Sequence, residues 1–138
     1  MKVHHVQVIM PVGGDEQVRA FWRDAVGLTE VTPPPELAGR PVLWFRAFDE
    51  TGAISVEIHV LADEAFVPAR LAHPAILVDS VAELEALAGR VGSAGFELSW
   101  AQRTSFAGYQ RFHCWDGFGN RVEVMTPQEA PIDAPTAG

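Results

Sequence analysis

Cysteine is all but missing from this 138-residue chain, where Cys114 stands alone. One thiol excludes an intrachain disulfide framework and any cysteine-rich zinc site. It also fits a reducing compartment, so the expected location is cytoplasmic. Positive charge is short as well. Ten Lys and Arg face eighteen Asp and Glu, for a formal net charge of −8, and the basic residues are scattered. Binding phosphate backbones needs a clustered basic face, so no nucleic-acid partner is expected. No apolar run approaches the roughly 20 residues that span a bilayer, and Met1-Lys2-Val3-His4-His5 does not read as a secretory leader. A membrane partner is therefore not expected either.

What is present is an ordinary globular composition, 48% hydrophobic and 20% charged, in a chain long enough to bury roughly two-thirds of its unfolded surface. Residues 3–10 alternate and are rich in Val, which predicts a strand. Asp15 is placed to cap a helix over about 16–26, with Val18, Phe21, Trp22, Ala25 and Val26 on one face and Gly27 at its end. A strand near 28–32 and the Pro33-Pro34-Pro35 loop follow. Strands near 42–48 and 54–61, around a turn at Asp49-Glu50-Thr51-Gly52, complete a first half. After a connector at 62–71 the order repeats. Strand 73–78 leads to helix 80–93, Gly95, strand 96–100 and loop 101–108, then to strands 109–115 and 121–126 joined through Asp116-Gly117-Phe118-Gly119-Asn120. Each half reads βαβββ. The expected organisation is one α+β domain over 1–127, with module one at about 3–61 and module two at about 72–127. A tail at 128–138, with two prolines among small polar residues, is expected to be disordered.

The halves match in chemistry too. His5 and His73 open them, and Gly27 and Gly95 each follow 22 positions later. Val56-Glu57-Ile58 and Val122-Glu123-Val124 close them, 52 and 50 positions past the histidines. Landmarks in one order at nearly one offset argue for duplication. Strand alternation packs Val6, Val8 and Met10 on the helix and turns His5 to the other face. Likewise Val56, Ile58 and Val60 pack inward and leave Glu57 and His59 opposite, while Val122 and Val124 leave Arg121 and Glu123 opposite. If both halves curl their sheets around one space, these polar groups converge there.

Two imidazoles with one or two carboxylates suit a divalent ion such as Zn, Ni, Co, Mn or Fe. Such an ion acts as a Lewis acid, and Glu57 or Glu123 is then a candidate general base for a proton α to a carbonyl. Taken singly, a strand histidine or strand-end glutamate is more often structural; as a symmetric set they point to metal. Glu57 and His59 do not both reach one ion without distortion, so one of them would be the ligand and the other a support or substrate contact. His4 and His113 have no symmetric partner and read as structural, and Cys114 reads as a small buried hydrophobe. Trp44, Phe45, Phe106 and Tyr109 could line an apolar ligand pocket, and Arg111 is a candidate anion contact.

Several stretches also carry a family resemblance: His4-His5-Val6, Ala20-Phe21-Trp22 through Gly27-Leu28, Val56-Glu57-Ile58-His59-Val60, Phe66 to Ala75, Gly108 to Phe112, and Asp116 to Glu123. Through them residues 3–127 resemble the vicinal oxygen chelate superfamily, also called the glyoxalase/bleomycin resistance/dioxygenase fold. The resemblance implies two tandem βαβββ modules forming a curved eight-stranded sheet around a cavity, and a homodimer. It puts His5, Glu57, His73 and Glu123 on the four metal-ligand slots of glyoxalase-type members. In dioxygenase-type members His5, His73 and Glu123 would be the iron triad. The Phe66 to Ala75 stretch resembles a small glyoxalase-like bacterial subgroup that prefers a histidine where His59 stands, and Asp116-Gly117 replaces the usual Asp-Pro. The function implied is a divalent-metal-dependent lyase or isomerase acting on a small oxygenated substrate. The alternatives are a metal-free protein that sequesters a drug or metabolite, and an extradiol-type dioxygenase. Scattered arginines give no cluster for the carboxylates of glutathione, so glyoxalase I activity itself is not the expectation.

Overall fold

Alternating apolar residues build the first sheet. Strand β1 (Val6–Met10) turns Val6, Val8 and Met10 to the interior and pairs in parallel with β4 (Ile54–Ala62). Strand β3 (Val42–Phe48) pairs antiparallel with β4, and β2 (Thr29–Val31) lies outside β3, giving the order β1-β4-β3-β2. The structure, a computed structural model, describes residues 1–129. The second sheet repeats the plan with β5 (Ala75–Leu77), β8 (Arg121–Pro127), β7 (Tyr109–Trp115) and β6 (Leu98–Ser99) in that order, β5 and β8 again parallel. The fold is α+β, two βαβββ modules whose eight strands fall into two four-stranded sheets.

Elements depart from the sequence reading where backbone chemistry intervenes. The single helix expected at 16–26 is a short α1 (Asp15–Arg19) that widens into a π-helical segment, Ala20–Ala25. The Val26 N–H donates to Phe21 O, and that of Leu28 to Trp22 O, both at 2.9 Å. The wider turn lets the neighbours Phe21 and Trp22 both enter the core beside Ala25 and Val26. Asp15 does not cap this helix. Gly14 holds the N-cap position without a side-chain bond, and Asp15 sits in the first turn, where its charge complements the helix dipole. Gly27 ends the segment at φ +93°, a conformation that costs a side-chain-bearing residue more. Strand β5 is half the expected length because Pro74 has no N–H to donate. Helix α2 (Val81–Ser93) is fully capped: Ser80 Oγ accepts the Glu83 N–H at 3.1 Å, and Glu83 Oε2 accepts the Asp79 N–H at 3.1 Å. Of the expected tail, residues 130–138 lie outside the described residues, while the Gln128 N–H donates to Gly108 O at 2.8 Å.

One core serves both modules. Phe21 meets Phe96 edge to face at 5.1 Å, and Arg90 of α2 donates to Ala25 O at 3.2 Å. Asn120 is the tightest link. Its amide donates to Ile9 O and to Asp116 Oδ2, each at 2.8 Å, and its Oδ1 accepts the Ala69 N–H at 2.9 Å. The second module's turn is thereby tied to β1 and to the connector. No helix among the described residues is long and apolar enough to cross a membrane.

Candidate functional site

Strand register places the two glutamates at matching positions and gives them different neighbours. Arg46 stands opposite Glu57 in the first sheet, and His113 stands opposite Glu123 in the second. Because Val6 pairs with Ile58, one step back along the ladder sets His5 beside Glu57. In the second sheet it is Ala75, not His73, that stands beside Glu123. The histidines that open the two halves are therefore offset by two residues in the ladder, which is the difference between the 52 and 50 positions that separate them from their glutamates. A shift of two preserves the face, so His73 still reaches the carboxylate from the same side.

In the first module Glu57 and His59 are buried, at 5% and 6% exposure. Arg46 donates from both Nε and Nη2 to Glu57 Oε1, at 3.0 and 2.8 Å, and Oε2 faces His4 Nδ1 at 3.7 Å. His59 is the middle ring of a stack, with Trp44 at 3.9 Å on one side and His5 at 4.1 Å on the other. Its Nε2 lies 3.4 Å from Glu57 Oε1 without a hydrogen bond, and Trp44 Nε1 is also buried without a partner. His5 and His4 approach through their Nδ1 atoms at 2.9 Å.

The second module is arranged around Glu123, 5% exposed. Arg111 Nη1 donates to Oε1 at 2.8 Å, and His73 Nε2 approaches Oε2 at 3.1 Å. His113, 3% exposed, brings its Nε2 to 4.0 Å from Oε1. Among the described residues, His73, His113 and Glu123 form the group that could hold a metal, each offering a ligand atom within 4.8 Å of the others. His5, Glu57 and His59 do not join it and remain a separate cluster on the first sheet.

The sequence pattern passed over His113 for want of a symmetric partner, yet strand parity carries the signal. Residues 109, 111 and 113 alternate with the core residues Phe112 and Cys114, so His113 shares the face of Arg111 and Glu123. Arg46, opposite Glu57, is legible in the same way once the β3–β4 pairing is set. Phe45 leaves the expected aromatic pocket, because alternation sends it into the core at 0% exposure while Trp44 faces the site. Arg111 is held by Glu123, by Ser105 Oγ at 2.8 Å and by Gln102 O at 3.2 Å, so an anion would have to displace one of these. Tyr109 meets Phe106 edge to face at 5.3 Å. The large cleft, about 600 Å³, lies elsewhere, between Val26, Val56, Ile76, Leu87 and Arg90. A smaller one of about 290 Å³ brings Gln7 of β1 and His73 into one wall.

Electrostatics follow burial and partner. Burial pushes the Glu57 carboxyl up, but Arg46 and then His59 outweigh it and hold Glu57 below the usual carboxylate range. Glu123 is likewise pushed up by burial and pulled further down by Arg111 and His73. Burial keeps His59 below its ordinary value; for His113 burial acts first and the charge of Arg121 adds to it. At neutral pH both carboxylates are ionised and both of these imidazoles are neutral, the protonation states a metal ligand needs. Burial pushes the Cys114 thiol up to about 12, consistent with a packed apolar role.

No protein-family model matches the chain, and no curated protein matches it. Among solved structures, a glyoxalase family protein from Bacillus anthracis is 33% identical, with 93% of this chain and 96% of that one covered and a TM-score of 0.78. A glyoxalase/dioxygenase from Nostoc punctiforme shares the fold at 19% identity, covering 93% and 92% of the two chains, with a TM-score of 0.71. So does the fosfomycin resistance protein FosX from Listeria monocytogenes, at 13% identity over 93% and 94%, with a TM-score of 0.68.

Proposed function

The chain belongs to the glyoxalase family of the vicinal oxygen chelate superfamily, and from that premise we propose that it is a divalent-metal-dependent enzyme of lyase or isomerase type acting on a small oxygenated substrate. One observation carries the metal reading. His73 Nδ1 lies 2.6 Å from Leu71 O, and a carbonyl oxygen only accepts, so the proton sits on Nδ1. With Nδ1 so occupied, Nε2 is the atom that faces Glu123 Oε2 at 3.1 Å, and without a second proton on the ring it presents a lone pair to that carboxylate. Two acceptors so placed need a cation or a proton between them, and a carbonyl that fixes the other ring nitrogen is what orients a ligating histidine. The donor set, imidazole plus carboxylate, fits Zn, Ni, Co, Mn or Fe.

A divalent ion held there would supply Lewis acidity to vicinal oxygens of the substrate. The chain's own groups do the rest. His73 and Glu123 hold the ion, with His5 and either Glu57 or His59 as the further ligands the family resemblance implies. Glu57 is the base within the other half, but its two bonds to Arg46 make it a weak one. Proton abstraction by Glu57 therefore requires Arg46 to release it. The flat Trp44–His59 stack offers a wall for a planar substrate, and Tyr109 and Arg111 are its polar contacts. Residues 1–127 would act as one domain, in a cytoplasmic homodimer. Neighbours named for fosfomycin resistance and as a glyoxalase/dioxygenase support small-molecule chemistry on this fold.

A second reading, a metal-free protein that sequesters a small molecule, draws on the arginines already paired with both carboxylates. Chelator-treated protein reconstituted with Zn, Ni, Co, Mn or ferrous iron separates them, assayed on a panel of lyase, isomerase and catechol-cleavage substrates. The proposal expects turnover that chelation abolishes and a divalent ion restores. Tight binding of planar ligands with no metal-restored turnover would favour the second reading. Ring cleavage restored by ferrous iron alone would point to the dioxygenase.

A further inference from the structure

We propose that the large cleft between the two modules is a second ligand site, and that its ligand is a small organic cation, an amine carried on an apolar body. This site does not rest on the metal reading above: none of His5, Glu57, His59, His73, His113 and Glu123 lines the cleft.

The cleft follows from unequal strand lengths. Strand β4 pairs with β1 only from Ile58 onward, so its first residues have no partner on that side. Strand β5 is short and stands at the edge of its own sheet. The space left there is about 600 Å³, with Val56, Ile76 and Val78 on the strands and Val26, Leu28 and Leu87 behind them. All but Val56 of these six are buried core residues, so the floor is rigid and apolar. Its size falls within the roughly 300–1,000 Å³ of small-molecule sites, which form preferentially where two structural units meet.

Charge sets the sign of the ligand. Asp49, Glu50, Asp79 and Glu83 line the cleft against one cation, Arg90. Arg90 is already committed, since its Nε donates to Ala25 O at 3.2 Å and its Nη2 to Val26 O at 3.5 Å. Asp49 Oδ1 accepts from Thr51 N, Thr51 Oγ1 and Ala53 N at 2.8, 2.6 and 3.1 Å, and Glu83 Oε2 accepts the Asp79 N–H at 3.1 Å. Those donors are neutral, so the negative charge remains. Glu50 and Asp79 have no salt-bridge partner among the described residues. The start of α2 offsets part of the charge on Asp79 and Glu83 but does not reach the β3–β4 turn that carries Asp49 and Glu50. The four carboxylates do not converge on one point either, because the close-set group among the described residues is His73, His113 and Glu123. A spread of negative charge around an apolar floor matches a cationic head on an apolar body better than a bare metal ion.

The lip of the cleft supplies the remaining contact. Phe48 and Leu77 line it and are 48% and 60% exposed. Scattered exposed apolar residues are ordinary, but two at the mouth of one apolar cleft form a surface that a ligand can cover. A second copy of the chain is the rival occupant. Each copy carries a formal net charge of −8, which opposes the acidic rim, so charge favours the small cation.

The test titrates the full chain with adamantylammonium, followed by two-dimensional amide NMR. Its compact body has no plane to lay on the Trp44–His59 stack, and adamantanol and adamantanecarboxylate are its neutral and anionic counterparts. The amine should shift the amide signals of Gly27, Val56 and Val78 and leave those of His73 and Glu123 in place. It should bind more tightly than the alcohol, the carboxylate should bind most weakly, and added salt should weaken the amine alone. The double variant Glu50→Gln, Asp79→Asn removes two exposed charges with no folding role. It should weaken the amine by about 10-fold, the scale of two exposed ion pairs, and leave the alcohol unchanged. Glu64→Gln, outside the cleft, should alter neither. Equal binding of amine and alcohol, an amine unaffected by the double variant, or shifts centred on His73 and Glu123 would overturn the proposal. So would a cleft that takes up none of the three compounds; if its amide signals then moved with protein concentration, the occupant would be a second copy of the chain.

Discussion

Two buried glutamates sit at the same ladder position in two sheets of the same design, and their companions differ. Glu57 faces Arg46 and lies beside a histidine locked in a ring stack. Glu123 faces His113, receives His73 from its open side, and takes its arginine, Arg111, from a diagonal position. Duplication supplied the frame twice; the cross-strand residue then decides what each carboxylate can do. An opposed guanidinium neutralises and fixes it, whereas an opposed imidazole adds a lone pair. Architectural symmetry therefore does not imply chemical symmetry.

The comparison is broken most severely by altering the carboxylates themselves. Glu123→Gln should abolish metal uptake, while Glu57→Gln should weaken it less and free Arg46; calorimetric titration of both variants reads this directly. Exchanging the cross-strand residues sharpens the same point. His113→Arg should remove the ion and make the second half like the first. The two halves also depend on one link. Asn120→Ala strands the Ile9 carbonyl and the Ala69 N–H and should cost about 3 kcal/mol, at about 1–3 kcal/mol per stranded buried group, seen as a lower urea midpoint with an unchanged slope.

Acid should weaken both halves in the same direction. His59 and His113 have folded values below their ordinary 6.5, so the native state binds fewer protons than the unfolded chain. That sign means metal-free stability is fully present above 6.5 and falls as pH drops through it. The lowered Glu57 and Glu123 add a further loss below their ordinary 4.5. Urea midpoints should decline from about pH 7.5 to about pH 5, the imidazole range, and less steeply in His59→Gln and His113→Gln. The smallest effect concerns the helices. Ser80→Ala should cost about 1 kcal/mol because it removes the cap of α2; α1, with Gly14 at its N-cap, has no side-chain cap to lose.

Much of the fold was legible because strand alternation and helix stops are local signals. The faces of β1, β4 and β8 follow from Val6, Val8, Met10, Ile58, Val60, Val122 and Val124, and the end of each helical segment follows from Gly27 and Gly95. The π-helical widening at Ala20–Ala25 was not, because the apolar face of 18–26 suits either helix. Strand β5 came out short because a missing N–H at Pro74 outweighs an apolar run. The site was legible in part. His73 and Glu123 follow from the repeat, but counting from His5 and His73 hides a two-residue slip that only strand pairing exposes. His113 was hidden differently: its importance comes from the residue across the hairpin, ten positions on, and depends on the length of the Asp116–Asn120 turn. Asn120, too, reads as a turn residue until its reach to Ile9 is seen.

The most direct test of the central claim is elemental analysis of the purified, tag-free protein beside the His73→Ala variant. Near-stoichiometric Zn, Ni, Co, Mn or Fe in the first and none in the second is the result this account predicts. A protein without metal even after reconstitution, or a variant that keeps its ion, would contradict it.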